Sequence, residues 1–157
     1  KIGSETVLSP ANVNEVVGSS VMYFRTRIPR NVTLSYNGLA IAPVQAMING
    51  ALFEWVVENL LKNSLDALQG QGEIDVRISD DLEWVYIDVK DTGKGIPKSN
   101  FKRIFEPGFT TKTRGWGLGL SLSRRIIEEY HKGRIYVVDS EPGRGTTIRI
   151  ALKRLYA

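Results

Sequence analysis

Cysteine is absent from the 157-residue chain and histidine occurs once. Without thiols there is neither a disulfide framework nor a thiolate metal site, which suits a reducing, cytoplasmic setting. No apolar run approaches the roughly 20 residues of a membrane-spanning helix, because Pro43, Gln45, Asn49 and Glu54 interrupt the best candidate. A secretory leader is lacking as well, and the chain opens at Lys1 in mid-pattern, so a piece of a longer protein is expected. Several phosphate-binding signatures are missing too. There is no G-x-x-x-x-G-K-[ST] of a P-loop and no G-x-G-x-x-G of a Rossmann turn or protein-kinase loop, since Gly115-x-Gly117-x-Gly119 has the wrong third spacing. Nor does a V-A-I-K or H-R-D run accompany it. No internal repeat or low-complexity segment is visible.

What is present is the make-up of an ordinary globular domain, 42% hydrophobic and 24% charged, in a chain long enough to bury roughly two-thirds of its unfolded surface. The net charge of +4 is unevenly held. Between Asp91 and Arg125 the cations Lys94, Lys98, Lys102, Arg103, Lys112, Arg114, Arg124 and Arg125 face only Asp91 and Glu106, so the remainder of the chain is net acidic. Two glycine clusters lie in this stretch, and the second opens onto an apolar-periodic segment, Leu118, Leu122, Ile126 and Tyr130, that reads as a helix. Glycine lets backbone N–H groups approach an anion closely, and the unpaired donors and dipole at a helix start favour negative charge there. The stretch therefore reads as a phosphate-holding loop. Nucleic acid is not the expected ligand, because the cations crowd one glycine-bearing loop and do not line a strand face.

Along the chain, residues 1–11 are expected to be a linker from an upstream element and residues 12–157 a single domain. Asn12 caps a predicted helix through Val13, Val16, Val17, Val21 and Phe24, with Glu15 in the third position of a capping box. Residues 32–36 alternate as a strand, and Pro43 begins a short predicted helix interrupted near Asn49-Gly50. Residues 52–69 form a strong predicted helix, with Phe53, Val56, Val57, Leu60, Leu61, Ser64 and Leu68 on one broad face and Gly70 as its stop. At about 100° per residue, Asn59 and Asn63 lie together at the border of that apolar arc. Asp66 continues the edge, while Glu58 and Lys62 form a separate i,i+4 pair. Two hairpins are predicted, 74–78 with 85–89 and 135–139 with 146–152. A short helix is expected over 98–104, and a longer one over 118–130 that breaks at Gly133. The outcome is an α+β two-layer sandwich, with three or more helices on one face of a mixed, mostly antiparallel sheet of about five strands.

Five groups of residues carry a resemblance: Asn59-x-x-x-Asn63; Asp91-x-Gly93-x-Gly95; Phe105-Glu106-Pro107 with Thr110-Thr111-Lys112; Gly115-x-Gly117-Leu118-Gly119-Leu120-Ser121; and Gly143-x-Gly145-Thr146. In order and spacing they resemble the N, G1, F, G2 and G3 boxes of the ATP-binding domain of sensor histidine kinases, over nearly the whole chain. The resemblance implies the Bergerat-type fold shared with type II topoisomerase, heat-shock chaperone and mismatch-repair ATPases, with ATP and Mg²⁺ as ligands. Asn63 is then the metal ligand, an amide oxygen suited to one position on a Mg²⁺ that keeps waters and phosphate oxygens elsewhere. Asp91 accepts a hydrogen bond from the exocyclic amine of adenine, where guanine presents a carbonyl. Gly93 and Gly95, followed by Ile96, let the backbone pass close to the base. Lys112 and Arg114 in a lid neutralise phosphate charge, and Gly115, Gly117 and Gly119 supply the cradle and the flexibility for closure. Asp66, Thr110, Thr111, Leu118 and Leu120 complete the implied nucleotide contacts. Phe105 anchors the lid by packing, Thr146 sets a hydroxyl near the adenine, and Trp116 either packs the lid or touches the nucleotide.

Asn59, Asn63 and Lys112 are the catalytic candidates. Asn59 stands where ATP-hydrolysing relatives carry the glutamate that activates water. An amide cannot act as a general base, and Glu58 is about 100° round the helix, so the site is expected to hold ATP for transfer to a histidine. Three departures stand out: Asp66 where many members carry Lys or Arg, Gly108 where a second Phe is commoner, and His131-Lys132-Gly133 in place of His-Gly-Gly. His131 is expected to be structural. The phosphoacceptor belongs to an upstream dimerisation domain, and a response regulator acts downstream. The isolated domain is expected to be a monomer and its parent a homodimer, membrane-anchored or not. The rival functions are a hydrolysing ATPase of the same fold, whose nucleotide state drives dimerisation, and a degenerate module that grips nucleotide or a partner.

Overall fold

In the computed structural model, which describes residues 7–39, 44–109 and 119–155, the chain runs through seven strands and three α-helices. In order these are β1 (Ser9–Asn12), α1 (Val13–Arg25), β2 (Val32–Asn37), β3 (Gln45–Ile48), α2 (Gly50–Leu68), β4 (Gly72–Asp80), β5 (Trp84–Asp91), α3 (Gly119–Arg125), β6 (Arg134–Glu141) and β7 (Gly145–Lys153). Five strands make one sheet in the order β2-β4-β5-β7-β6, with β2 parallel to β4 and the other pairs antiparallel. The expected α+β sandwich and its two hairpins are therefore present.

Register explains where the core lies. Because side chains alternate across a strand, each row of paired residues shares a face. One row reads Ile78, Ile87, Ile150, Ile135, and the next reads Val76, Val89, Ile148, Val137. Onto this face α1 lays Val13, Val17, Val21 and Phe24, and α2 lays Phe53, Val56, Val57, Leu60, Leu61 and Leu68, all buried. Each such side chain contributes about 1.5–3 kcal/mol when fully withdrawn from water. The opposite face of the sheet is polar. There Arg149 donates to both carboxylate oxygens of Asp88, at 2.7 and 2.9 Å, and lies 4.7 Å over the Tyr86 ring.

The helix ends follow their caps. Asn12 accepts from the Glu15 N–H at 3.2 Å and starts α1 as expected. Asn49 does the same for α2, accepting from Leu52 N–H at 3.1 Å, so Asn49-Gly50 begins a helix where an interruption was expected. At the far end Gln69 takes the left-handed conformation (φ 56°), ahead of the Gly70 expected to stop the helix.

Other expectations are corrected. The segment after Pro43, expected to be helical, is strand β3, and residues 9–11, assigned to a linker, belong to its antiparallel partner β1. Period two decides this: Ala46 and Ile48 are buried while Gln45 and Met47 are exposed. Gln45 also accepts from Leu155 N–H at 2.8 Å on the other side. The helix expected over 98–104 is two separate 3₁₀ turns, Lys98–Asn100 and Arg103–Phe105. After α3 the chain widens into a π-helical turn, Ile126–Tyr130, closed by His131 N–H donating to the Ile126 carbonyl at 3.0 Å. Glu58 pairs with Arg27, in the turn after α1, at 3.2 Å, not with Lys62. Both side chains are partly exposed, so this bridge adds no more than about 1 kcal/mol.

Glycine is needed where backbones touch. A Cβ on Gly93 would lie 2.6 Å from the Ala67 carbonyl oxygen of α2, whereas one on Gly50 would meet nothing within 4 Å. Gly93→Ala should therefore destabilise the domain by about 1–3 kcal/mol. Gly50→Ala should leave stability unchanged or raise it by about 0.4–1 kcal/mol. Urea unfolding of the two variants beside wild type measures both, and equal effects would refute the assignment.

Candidate functional site

The apolar rows of the sheet give way at one end to a polar one. Following the same register, this row reads Ile74, Asp91, Thr146, Ser140. Asp91 is the last residue of β5 and only 6% exposed. Its Oδ1 accepts from Gly93 N–H at 2.9 Å, and the carboxylate also accepts from the Ser64 hydroxyl of α2 and from Thr146 N–H. Burial pushes its pKa above the ordinary carboxylate value, and those three donors pull back only part of the shift.

Ser140 organises the other half of the row. Its Oγ accepts from Ile96 N–H at 2.8 Å, donates to the Gly145 carbonyl at 2.9 Å, and lies 2.8 Å from Thr146 Oγ1. A hydroxyl has one proton, so with that proton on Gly145 it is Thr146 that donates to Ser140. The loop after β5 is thereby pinned from two sides. Lys94 N–H donates to Ala67 O of α2 at 3.1 Å, and Gly143 N–H, in the β6–β7 turn, donates to Lys94 O at 2.7 Å. At Gly95 (φ 72°) a Cβ would collide with Glu141 O, and at Gly145 (φ 125°) with Asp91 O. Gly93, Gly95 and Gly145 thus first serve contacts of backbone on backbone.

The facing wall is the polar edge of α2. Asn59 donates from Nδ2 to Ser123 Oγ of α3 at 3.0 Å, and its amide lies against Gly119. Eight residues on, Ala67 receives the Lys94 N–H. Asn63, half-buried, stands between them on the same stripe, about 6 Å along the axis from each. The edge Asn59, Asn63, Ala67 therefore spans from α3 to the loop after Asp91. Asp66 is exposed at the end of the same helix. Ile96 and Leu120 are partly buried against the core, and Phe105 is buried outright. Thr110, Thr111, Lys112, Arg114, Gly115, Trp116, Gly117 and Leu118 lie outside the described residues.

Three hydroxyls of this site escaped the sequence reading of roles: Ser64, Ser123 and Ser140. A signal existed for Ser64, the one polar side chain on the apolar face of α2. His131 is buried, as its structural assignment requires. Its Nδ1–H donates to Ile126 O at 3.0 Å and its Nε2 accepts from Asn49 N–H at 3.1 Å, tying the π-helical turn to the cap of α2. Its ring is also 5.7 Å from that of Phe53. Lys132 takes φ 57°, a conformation that suits the glycine more usual there. No helix among the described residues is long and apolar enough to cross a membrane.

This two-layer arrangement is that of the Bergerat-type ATP-binding fold. The chain belongs to the histidine kinase-, DNA gyrase B- and HSP90-like ATPase family, whose model matches residues 49–155. It is 43% identical over 96 residues to sporulation kinase A of Bacillus subtilis, covering 61% of this chain and 16% of that protein. It is 32% identical over 157 residues to the nitrogen regulation protein NtrY of Azorhizobium caulinodans, covering 94% of this chain and 20% of that protein. The chain thus spans a fifth or less of these curated relatives. Among solved structures, the catalytic domain of histidine kinase ThkA superposes with a TM-score of 0.82 at 27% identity, covering 93% of this chain and 97% of that one. Within that family the domain resembles the catalytic domains of sensor histidine kinases.

Two pH dependences follow from the buried groups. The His131 pKa is lowered by burial against the weaker pull of its Ile126 and Asn49 contacts. Its contribution is complete above the unfolded value of 6.5 and is lost as pH falls through the lower folded value. Unfolding free energy of wild type should drop on acidification below about pH 6.5 more steeply than that of His131→Gln, and parallel curves would refute this. Asp91 has the opposite sign. With its folded value raised above 3.8, its contribution is complete below pH 3.8 and lost as pH rises through the folded value. Relative to Asp91→Asn, wild type should therefore lose stability as pH climbs from about 4. A pH-independent difference between the two, measured by denaturant unfolding, would exclude a strained carboxylate.

Proposed function

We propose that this domain binds Mg-ATP and transfers the γ-phosphoryl group to a histidine on a separate dimerisation domain of a two-component signalling kinase. The supporting observation is a buried, electrostatically costly Asp91 at the sheet end, facing a helix edge that carries an amide, Asn59, in place of a general base. A carboxylate kept at such a cost suits a ligand that offers it a donor, and the exocyclic amine of adenine is one. Thr146, beside Asp91 in the register, lines the same position.

Asn63 offers a hard oxygen midway along the α2 edge. Among the described residues no group of three or more His, Cys, Asp or Glu side chains gathers to hold a metal. A cation here would take an oxygen from Asn63 and rely chiefly on phosphate and water for the rest, which fits Mg²⁺. When bound, that ion supplies charge neutralisation for the β- and γ-phosphates. Lys112 and Arg114 are assigned the remaining phosphate charge. Transfer breaks the bond from the γ-phosphorus to ADP oxygen and forms one to an imidazole nitrogen of the acceptor. With Asn59 engaged by Ser123 and Glu58 by Arg27, neither deprotonates water, so hydrolysis is slow.

The parent kinase is assigned a cytoplasmic catalytic domain, a homodimeric phosphoacceptor domain and a response regulator as the next acceptor. The isolated domain is a monomer that does not phosphorylate itself. Calorimetry should register Mg-ADP and Mg-ATP binding, and steady-state phosphate release should stay far below that of a working ATPase. Asp91→Asn should weaken ATP binding by roughly 1–3 kcal/mol, the cost of an unsatisfied or repelled buried polar group. No heat at millimolar nucleotide would overturn nucleotide binding, and rapid phosphate release would overturn the transferase assignment in favour of a hydrolase.

A further inference from the structure

Ser123 is completely buried, yet it carries a hydroxyl into the seam between α3 and α2. The partner it meets there is the Asn59 amide, whose Nδ2 donates to Ser123 Oγ at 3.0 Å. Four residues earlier on the same face of α3 stands Gly119. A Cβ at that position would lie 2.8 Å from Asn59 Oδ1 and 3.0 Å from Nδ2. Gly119 thus leaves the amide its space, and Ser123 takes its nitrogen.

The consequence is electrostatic. An asparagine side chain has two orientations of nearly equal shape, related by a half-turn that exchanges an acceptor oxygen for a two-proton donor. Beside a cation and a triphosphate these orientations have opposite signs, because the oxygen favours the metal and the NH₂ competes with it. In the orientation present the nitrogen donates to Ser123 Oγ, which leaves Oδ1 as the pole to accept from, or ligate, a group entering the site. The same bond joins α2 to α3, so the Asn59–Asn63 edge and α3 keep a fixed spacing.

We infer that Ser123 is a positioning residue for the phosphate end of the candidate site, orienting the Asn59 amide so that its oxygen serves the metal-nucleotide complex. The inference rests on the Mg-ATP reading above and deepens it. A serine that merely packs would influence stability and all ligands alike. An orienting serine influences the metal-dependent part of binding.

The test is calorimetric titration of ATP into wild type, Ser123→Ala and Gly119→Ala, each with excess Mg²⁺ and again with EDTA. One lost hydrogen bond of about 1 kcal/mol corresponds to a factor of about 5. Ser123→Ala should therefore weaken Mg-ATP binding by roughly 3- to 10-fold and leave metal-free ATP within about 2-fold of wild type. Gly119→Ala keeps the hydroxyl but displaces the amide, and should reproduce the metal-dependent loss. The Asn59 side-chain NH₂ resonances, assigned by NMR, should shift and exchange faster in Ser123→Ala while the backbone spectrum stays folded. Equal losses with and without metal, or no loss in either, overturn the role of Ser123 and leave the functional reading standing. Wild type that binds no ATP overturns that reading and this role together.

Discussion

A carboxylate withdrawn from water at the end of a β-strand is the constraint on which this domain turns. Asp91 draws its donors from three places: the loop that follows it, helix α2 through Ser64, and the neighbouring strand through Thr146. None of those elements can move far without leaving a buried charge short of a partner, which costs more than an ordinary lost hydrogen bond. The sheet end, the α2 edge and the β6–β7 hairpin are therefore assembled around one side chain. Fold and candidate site are the same construction seen from two sides.

Close backbone contact is the second theme. Ala67, Glu141 and Asp91 each approach a glycine so nearly that a single added carbon would collide with backbone. These contacts bring the loop after β5 against α2 and against the β6–β7 turn. Glycines that look like phosphate or base contacts along the chain thus have a prior duty in packing. The two uses are compatible, because a loop pinned on both flanks is a preorganised wall for a ligand.

A smaller polar tie steadies the other end of α2. Neutral His131 accepts from the Asn49 backbone and donates to Ile126, so one imidazole caps the π-helical turn and braces the start of the helix carrying Asn59 and Asn63. Strand β3 ends one residue before Asn49 and lies between β1 and Leu155, so segments from both ends of the described chain flank the strand that leads into that cap. The edge that faces Asp91 is thereby held at its N-terminus by His131 and along its length by Ser123 and the Lys94 N–H.

Much of this was legible along the chain because it depends on local period and local chemistry. Alternation marked the four strands of the two hairpins, the 3.6-residue repeat marked α1 and α2, and Asn12 marked the start of α1. The order of the asparagine and glycine groups was enough to indicate the family. What sequence could not supply were facts about partners distant in the chain. Strand β3 is four residues long, too short for its period to outweigh the proline before it, and it exists because β1 and Leu155 lie on either side. Glu58 sits one turn from Lys62 but finds Arg27 in the turn that follows α1. Ser64, Ser123 and Ser140 are ordinary serines until folding sets them beside Asp91, Asn59 and Ile96, because a hydroxyl acquires direction only from its neighbours. The sequence by itself determined which segments are amphipathic and which residue types are gathered. Only tertiary structure decided which polar atoms must satisfy one another once water is gone.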